Sequence, residues 1–152
     1  MLATKKQSKG KAAVSKHAGL DDTPQFFRLN VEVDDLDVAA TFYSKLLDVK
    51  GRKQAGSRVY FECGPVMLSV LDVHTVRQPH PLPKALYFTV KDLETAMERA
   101  RLLGCLARED VHDAEGGGIV VRPWGERSFY VEDPWKNPLC FVEEGTVYTG
   151  RD

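Results

Sequence analysis

Side chains able to hold a small ligand recur at alternate positions of strand-like segments. In the first segment, Leu29, Val31 and Val33 alternate with polar residues, and alternate side chains of a strand point to opposite faces. The face opposite the apolar residues of this and two later segments is therefore expected to carry Arg28, Asn30, Glu32, Ala85, Tyr87, Thr89, Ser128 and Tyr130. A guanidinium beside hydroxyls and aromatic rings suits a small anionic or polar aromatic molecule, because Arg binds carboxylate or phosphate through paired hydrogen bonds.

Arg28 also has a second interpretation. It would pair with Glu32 or Glu62 across an exposed sheet face and bind nothing. The sequence leaves both interpretations open.

Cysteines and histidines show no spacing typical of a metal site. Cys63, Cys105 and Cys140 are an odd number without a C-x-x-C pair, which favours a reducing cytoplasm over a disulfide scaffold. The four histidines fall outside the strand-like segments and are expected in solvated regions: His17, His74, His80 and His112.

Length and composition indicate one globular domain. The chain has 152 residues, of which 43% are hydrophobic and 28% charged, and 152 residues is close to the usual size of a single domain. No apolar run approaches the roughly 20 residues of a membrane span. The net charge of −1 argues against nucleic acid or an anionic membrane as the main partner.

The charge is unevenly distributed. Residues 1–17 carry five lysines and no acid, leaving 16 basic residues against 22 acidic ones, a balance of −6, in the rest. Residues 1–24 have no aromatic residue and no apolar period, so we predict a disordered basic tail. An organellar transit peptide is the alternative, although such peptides favour Arg.

An internal repeat organises the remainder. The pattern V-x-D-L-[D/E]-x-A occurs at residues 33–39 and again at 90–96, an offset of 57. Each copy follows an alternating segment and precedes apolar residues at helical spacing, and Asp35 and Asp92 are placed to cap the two helices. Gly51 and Gly104 are expected to end them.

Further strand-like segments follow each helix. Their expected ranges are 58–62, 66–71, 119–122, 128–131 and 139–142. We therefore predict an α+β fold of two tandem βαβββ units at 26–73 and 84–144, which form a partly closed mixed sheet around a cavity with helices outside. A proline-rich linker at 74–83 is expected to be extended, Gly116–Gly118 to form a flexible loop, Asp133, Pro134 and Asn137 a turn, and 146–152 a C-terminal tail.

These motifs resemble the vicinal oxygen chelate superfamily, which includes glyoxalase I, bleomycin-resistance proteins, fosfomycin-resistance enzymes and extradiol dioxygenases. The resemblance rests on the duplicated V-x-D-L, on Phe42-Tyr43-x-x-Leu46-Leu47, and on Ser128-Phe129-Tyr130-x-x-Asp133-Pro134-x-x-Asn137. It covers residues 26 to about 144. It implies a ligand cavity lined by residues such as Ser128 and Tyr130, and commonly a homodimer. Because this fold hosts unrelated chemistries, it does not fix an activity.

The resemblance also implies four positions for ligands of a divalent metal. In this chain they carry Arg28, Ser69, Ala85 and Cys140. A catalytic metal needs about three converging ligands from His, Glu, Gln or Asp, and a permanent guanidinium repels a second cation. We therefore expect neither the usual metal nor another cofactor.

Cys140, Trp124 and Arg127 each have two interpretations. Cys140 would be a nucleophile if a nearby cation such as Arg28 lowered its pKa, and is otherwise a buried, inert thiol. Trp124 and Arg127 flank Gly125 and would form either a lid over the cavity or a dimer contact.

Three functions agree with these residues. The favoured one is a metal-free protein that binds a small polar or anionic ligand through Arg28, Asn30, Ser69, Tyr87, Ser128, Tyr130 and Cys140. The second is a metal-dependent lyase, isomerase or dioxygenase with non-standard ligands. The third is a non-catalytic interaction module.

Overall fold

The chain folds into two βαβββ units, which confirms the predicted α+β class. The computed structural model describes residues 22–107 and 118–150. The first unit consists of β1 (Arg28–Val33), α1 (Leu36–Leu47), β2 (Arg52–Gln54), β3 (Arg58–Cys63) and β4 (Val66–Asp72). The second consists of β5 (Leu86–Val90), α2 (Leu93–Leu102), β6 (Val120–Val121), β7 (Arg127–Glu132) and β8 (Pro138–Glu143).

Each unit forms its own four-stranded mixed sheet. The strand orders are β1-β4-β3-β2 and β5-β8-β7-β6. In each sheet the first and last strands of the unit are parallel neighbours and the other pairs are antiparallel. The two sheets have the same topology, as the repeat predicts.

The caps of the two helices confirm the repeat at the level of single atoms. The Asp35 carboxylate accepts a hydrogen bond from the Val38 amide, and the Asp92 carboxylate accepts one from the Thr95 amide, both at 3.0 Å. A side-chain acceptor at this position satisfies an amide that has no partner within the helix.

A shared apolar core lies between the helices and one face of each sheet. Val31 and Val33 of β1, and Phe129 and Val131 of β7, are buried in it with Tyr43 of α1. Their strand neighbours Arg28, Asn30, Ser128 and Tyr130 lie on the opposite sheet faces because side chains alternate along a strand. The face opposite the core, called the open face below, exposes Arg28, Asn30 and Tyr87, whereas four other residues of this face are buried: Ser69, Ser128, Tyr130 and Cys140.

The turn between β7 and β8 joins the two units. The side-chain amide nitrogen of Asn137 donates to the Glu32 carbonyl in β1 at 3.1 Å and to the Asp133 carboxylate at 2.8 Å. The Tyr43 hydroxyl of α1 donates to the same carboxylate at 2.7 Å, and the Asn137 oxygen accepts from the Leu82 amide of the linker at 2.9 Å. The predicted turn residues thus also hold the first unit, the linker and the second unit together.

The expected helix end at Gly51 is wrong. Helix α1 ends at Leu47, and Asp48 caps it in the left-handed conformation with φ 55°. Gly51 is needed for another reason, since a Cβ there would lie 2.6 Å from the Val59 side chain and 2.8 Å from Phe61. The strand expected at 119–122 is also shorter, Val120–Val121.

Several expectations fall outside the described residues. They concern the basic tail up to residue 21, His112, and the first two residues of the Gly116–Gly118 loop. Among residues 22–107 and 118–150, no helix has the length and apolar character to cross a membrane.

Candidate functional site

The open face of the first sheet carries the first group of predicted site residues. Asn30 of β1, Ser69 of β4 and Tyr60 of β3 lie side by side across three strands. Arg28 lies beside this row and donates a hydrogen bond to the Tyr60 hydroxyl at 3.4 Å, and its guanidinium lies 5.0 Å from the centre of the Phe27 ring. Ser69 is fully buried, and its hydroxyl has no hydrogen-bond partner among the described residues.

Tyr60 lies next to two arginines. A hydrogen bond from Arg58, together with the positive charge of Arg28, lowers the pKa of the Tyr60 hydroxyl below its ordinary value. The nearby guanidinium groups of Arg28 and Arg58 place positive charge at this part of the face, and positive charge favours the ionised form of a phenol.

The two carboxylates considered as partners for Arg28 are paired with other arginines. Glu32 accepts hydrogen bonds from both terminal nitrogens of Arg77 at 2.5 Å, and Glu62 pairs with Arg52. The hydrogen bond from Arg77 lowers the pKa of Glu32 to about 2. In the part of the chain that the structure describes, no ion pair includes Arg28.

The second group lies on the open face of the second sheet. Tyr87 of β5, Cys140 of β8 and Tyr130 of β7 form a row across three strands, and Ser128 lies two residues before Tyr130. The Tyr87 and Tyr130 hydroxyls are 2.9 Å apart and share a hydrogen bond. Their rings meet edge to face at 81° with centres 6.3 Å apart. Burial, and the hydrogen bond between Tyr130 and Tyr87, raise the pKa of Tyr130 well above its ordinary value.

Arg122 belongs to this group and was not among the predicted site residues. It is only 2% exposed, its Nε donates to the Ser128 hydroxyl at 2.8 Å, and its guanidinium lies 5.1 Å from the centre of the Tyr130 ring. One signal was present in the sequence, since Arg122 ends the strand expected at 119–122 and follows Val120 by two residues; the structure then pairs Val120 with Ser128. Arg122 therefore continues the face that carries Ser128.

Cys140 is a buried thiol whose neighbouring cation is Arg122 rather than Arg28. Burial raises the pKa of Cys140 to about 11, although Ser128, Tyr130 and the charge of Arg122 each act to lower it. A thiol with this pKa is almost entirely protonated at neutral pH and is a poor nucleophile. The geometry therefore favours the inert interpretation.

Trp124 and Arg127, considered above as a lid or a dimer contact, have different surroundings in the structure. The Trp124 indole nitrogen donates to the Glu126 carboxylate at 2.8 Å, and its ring lines a cavity that Tyr87 also lines. Arg127 pairs with Glu143 at 2.6 Å and with Glu94 of α2, which places it on the helix side of the sheet. Only Trp124 lies at the mouth of an open cavity.

The seven predicted ligand-binding residues thus form two groups. Arg28, Asn30 and Ser69 lie on the first sheet, whereas Tyr87, Ser128, Tyr130 and Cys140 lie on the second. No hydrogen bond joins the two groups among residues 22–107 and 118–150. Of the second group, Tyr87 and Tyr130 line a cavity of about 830 Å³ that is also lined by Lys84 and Ala85.

The strand register shows that Ser69 and Cys140 occupy equivalent places. Ser69 pairs with Asn30, and Cys140 pairs with Tyr87. Asn30 and Tyr87 are themselves separated by the repeat offset of 57.

The donors at the four expected metal-ligand positions do not fit a divalent metal. A guanidinium, a hydroxyl, a methyl group and a protonated thiol provide neither carboxylate nor imidazole. Within the described ranges, no group of three or more His, Cys, Asp or Glu residues could hold a metal ion. His74 instead pairs with Asp72 at 2.7 Å, and the His80 backbone amide donates to Glu32 at 2.8 Å.

Comparison with known proteins agrees with this fold. Residues 25–141 match the family model of the Glyoxalase/Bleomycin resistance protein/Dioxygenase superfamily. The chain belongs to this superfamily, which confirms the resemblance seen in the sequence. No curated protein matches the chain significantly.

Solved structures with the same fold have varied descriptions. A structure described as oxidase ChaP-H2 is 25% identical, with 84% of this chain and 99% of that chain covered and a TM-score of 0.67. A glyoxalase/bleomycin resistance protein from Albidiferax ferrireducens T118 is 20% identical, with 78% and 98% covered and a TM-score of 0.64. A lactoylglutathione lyase from Agrobacterium tumefaciens is 21% identical, with 80% and 96% covered and a TM-score of 0.58. Similarity at this level of identity indicates the fold and leaves the activity to be argued from the site.

Proposed function

We propose that this superfamily member binds a small polar or anionic molecule on its open sheet faces, without a divalent metal at the four superfamily positions. The observation that carries the proposal is Arg28. Its guanidinium stands at an expected metal-ligand position and contacts the Tyr60 hydroxyl, while the neighbouring carboxylates Glu32 and Glu62 pair with other arginines. A guanidinium without a carboxylate partner among the described residues is available for a carboxylate or phosphate of a ligand.

Asn30 and Ser69 support the same role. Asn30 is exposed beside Arg28 and offers both a donor and an acceptor, and the Ser69 hydroxyl is the buried side-chain atom without a partner in the described part of the chain. A buried hydroxyl without a hydrogen bond costs roughly 1–3 kcal/mol. A ligand or water molecule that forms a hydrogen bond with the Ser69 hydroxyl would remove that cost.

We further propose that a homodimer completes the site. Arg28 and its neighbours lie on the first sheet, whereas the Tyr87 and Tyr130 pair lies on the second, so each face alone supplies part of the predicted ligand contacts. A second copy placing its Tyr87 face opposite Arg28 would unite them.

The three cysteines are free thiols, which supports a cytoplasmic location, and neither a membrane nor nucleic acid is proposed as a partner.

Ligand screening by thermal shift tests the binding proposal. Small carboxylates and inorganic phosphate are expected to raise the Tm of the wild type, and Arg28→Ala should weaken a hit by about 10- to 100-fold, since a hydrogen bond to a charged group is worth about 1.5–3 kcal/mol. Arg101→Ala is the matched control, because Arg101 lies on α2 and pairs with Glu98. Hits that survive Arg28→Ala unchanged would contradict the role of Arg28.

Elemental analysis separates this proposal from a metal-dependent enzyme. Protein purified without chelators is expected to contain substoichiometric Zn, Ni, Fe and Mn. A stoichiometric metal would overturn the metal-free part of the proposal. Light scattering tests the dimer, for which about twice the chain mass of 17.0 kDa is expected.

A further inference from the structure

A second cavity, which shares only Tyr87 with the cavity of about 830 Å³, has chemistry different from that around Arg28. It has a volume of about 670 Å³, a size typical of small-molecule sites. Its lining consists of Tyr87, Phe88, Thr89, Trp124, Glu126, Val142, Val147 and Tyr148. Three of its rings are partly open to solvent, with exposed fractions of 54% for Tyr87, 37% for Trp124 and 49% for Tyr148.

The C-terminal segment after β8 is held at this cavity by the backbone of β7 and β8 and by the Glu126 side chain of the turn before β7. The Thr146 hydroxyl accepts a hydrogen bond from the Arg127 amide at 3.1 Å and donates to the Glu143 carbonyl at 2.7 Å. The Tyr148 amide donates to the Glu126 carboxylate at 2.9 Å. The Tyr148 ring is therefore a built wall of the cavity.

Glu126 supplies a negative charge to the cavity. Its residue is 8% exposed, one carboxylate oxygen accepts from the Trp124 indole nitrogen, and the other accepts from the Tyr148 amide. Both donors are neutral, and no described residue forms an ion pair with Glu126. The buried Arg122, whose backbone amide donates to the Glu126 carbonyl at 2.7 Å and whose charge acts with that of Glu126 on Cys140, offsets part of this negative charge. Because the group is largely removed from water, its field in the cavity is screened less than that of a surface carboxylate.

Aromatic rings and an enclosed carboxylate together attract an organic cation. The faces of Trp and Tyr rings are electronegative, and cages of such rings bind quaternary ammonium groups. Each oxygen of Glu126 already accepts one hydrogen bond, so fewer acceptor sites are left for an N–H donor of a ligand, whereas the charge of the carboxylate still acts on it. A quaternary ammonium group suits this arrangement because it carries a charge and has no N–H donors to satisfy.

We propose that the cavity formed by Tyr87, Trp124, Glu126 and Tyr148 binds the quaternary ammonium group of a small molecule. This inference goes beyond the proposed function, which concerns an anionic or polar group near Arg28. The two sites share only Tyr87, so each is tested with its own probe and variants.

The test uses choline as the probe and 3,3-dimethylbutan-1-ol as its uncharged counterpart of the same shape. The chain has two tryptophans, so ¹H–¹⁵N spectra contain two indole N–H signals, which Trp135→Phe assigns. Choline is expected to shift the Trp124 signal saturably with a Kd on the order of 1 mM. The uncharged alcohol should bind at least about fivefold more weakly, because it lacks the cation–π and charge attraction.

Three variants locate the site. Glu126→Gln removes the charge while keeping the shape, and Tyr148→Ala removes one ring while keeping the backbone donor. Each should weaken choline by about three- to tenfold, as expected for one cation–π or partly screened charge contact. Arg28→Ala, on the other sheet, should leave choline binding unchanged even if it abolishes anion binding.

Three results would overturn the inference. They are the absence of a saturable shift at about ten times the expected Kd, equal affinity for choline and the uncharged alcohol, and unchanged choline binding in both Glu126→Gln and Tyr148→Ala. Because the first two use the wild-type protein, the test does not depend on the folding of any variant.

Discussion

Asn137 joins the two units and the linker, so its replacement should destabilise the whole chain. Its side chain is fully buried and makes three hydrogen bonds: to the Glu32 carbonyl, to the Asp133 carboxylate and from the Leu82 amide. Asn137→Ala removes all three and leaves each partner without the bond. None of these partners can turn toward water without moving the turn, the linker or β1.

The expected loss follows from the kinds of bond removed. A hydrogen bond between neutral groups contributes about 1 kcal/mol and one to a charged group about 1.5–3 kcal/mol. The two bonds with the neutral Glu32 carbonyl and Leu82 amide and the one bond to the Asp133 carboxylate together give a loss of about 3–5 kcal/mol in the free energy of unfolding. A domain of this size is stable by only about 5–15 kcal/mol, so the effect should be plain in a denaturation curve.

Urea denaturation followed by circular dichroism measures this loss. Asn30→Ala is the matched control, since it is the same substitution at an exposed residue of β1, and it should change the stability by less than about 0.5 kcal/mol. Tyr43→Phe is a milder second variant, because it removes only the hydroxyl that donates to Asp133 at 2.7 Å, and should cost about 1.5–3 kcal/mol. If Asn137→Ala stays within about 1 kcal/mol of the wild type, the turn does not hold the units together.

Three other predictions concern packing, pH and thiol chemistry. Gly51→Ala should lower the free energy of unfolding by about 1–3 kcal/mol, because its new Cβ would lie 2.6 Å from the Val59 side chain; an unchanged urea midpoint would contradict this close approach. Arg77→Gln should raise the pKa of Glu32 from about 2 toward the ordinary 4.5, as carboxyl NMR titration would show. A native pKa of Glu32 below its unfolded-state pKa stabilises the fold at pH values above that unfolded-state pKa. The stability difference between Arg77→Gln and the wild type should therefore shrink as the pH falls from 4.5 to 2; a difference that stays constant would refute the effect of Arg77 on Glu32. Cys140, with its pKa raised to about 11, should resist iodoacetamide at pH 8 in the native protein, and rapid labelling seen by mass spectrometry would show a reactive thiol.

The fold was predictable because its signals are local and occur twice. The capping aspartates Asp35 and Asp92, the alternating strands and the repeat offset each depend on residues close in sequence. The second strand of the first unit, Arg52–Gln54, was not predicted, since a three-residue edge strand of polar residues has no apolar alternation to show it. Gly51 was wrongly predicted to end a helix for a similar reason. Its contact with Val59 forms only in the folded chain, so no pattern in the sequence indicates it.

For the candidate site, the sequence predicted only which face of its strand each residue lies on. Alternation placed Tyr87, Ser128 and Tyr130 on the correct side of their strands, but it contains no information on which faces meet. The hydrogen bonds of Glu32 with Arg77 and of Trp124 with Glu126 depend on where the linker and the turn before β7 run. These connections have no regular period, so the partners of charged residues on the open faces were the least predictable part of the site.

The strand register explains how a repeated fold carries a chemistry that is not repeated. Ser69 and Cys140 occupy the same place in their sheets, as do Asn30 and Tyr87, yet neither pair keeps the same chemistry. The core faces of both units pack against the helices and are apolar, whereas the opposite faces carry residues that differ between the units, some of them buried, such as Ser69 and Cys140. One face now carries an electropositive group around Arg28, and the other places a buried carboxylate, Glu126, beside aromatic rings. If both proposals hold, the two halves of the chain recognise groups of opposite charge, so an anionic probe and a quaternary ammonium probe should each lose affinity only in the variants of its own site.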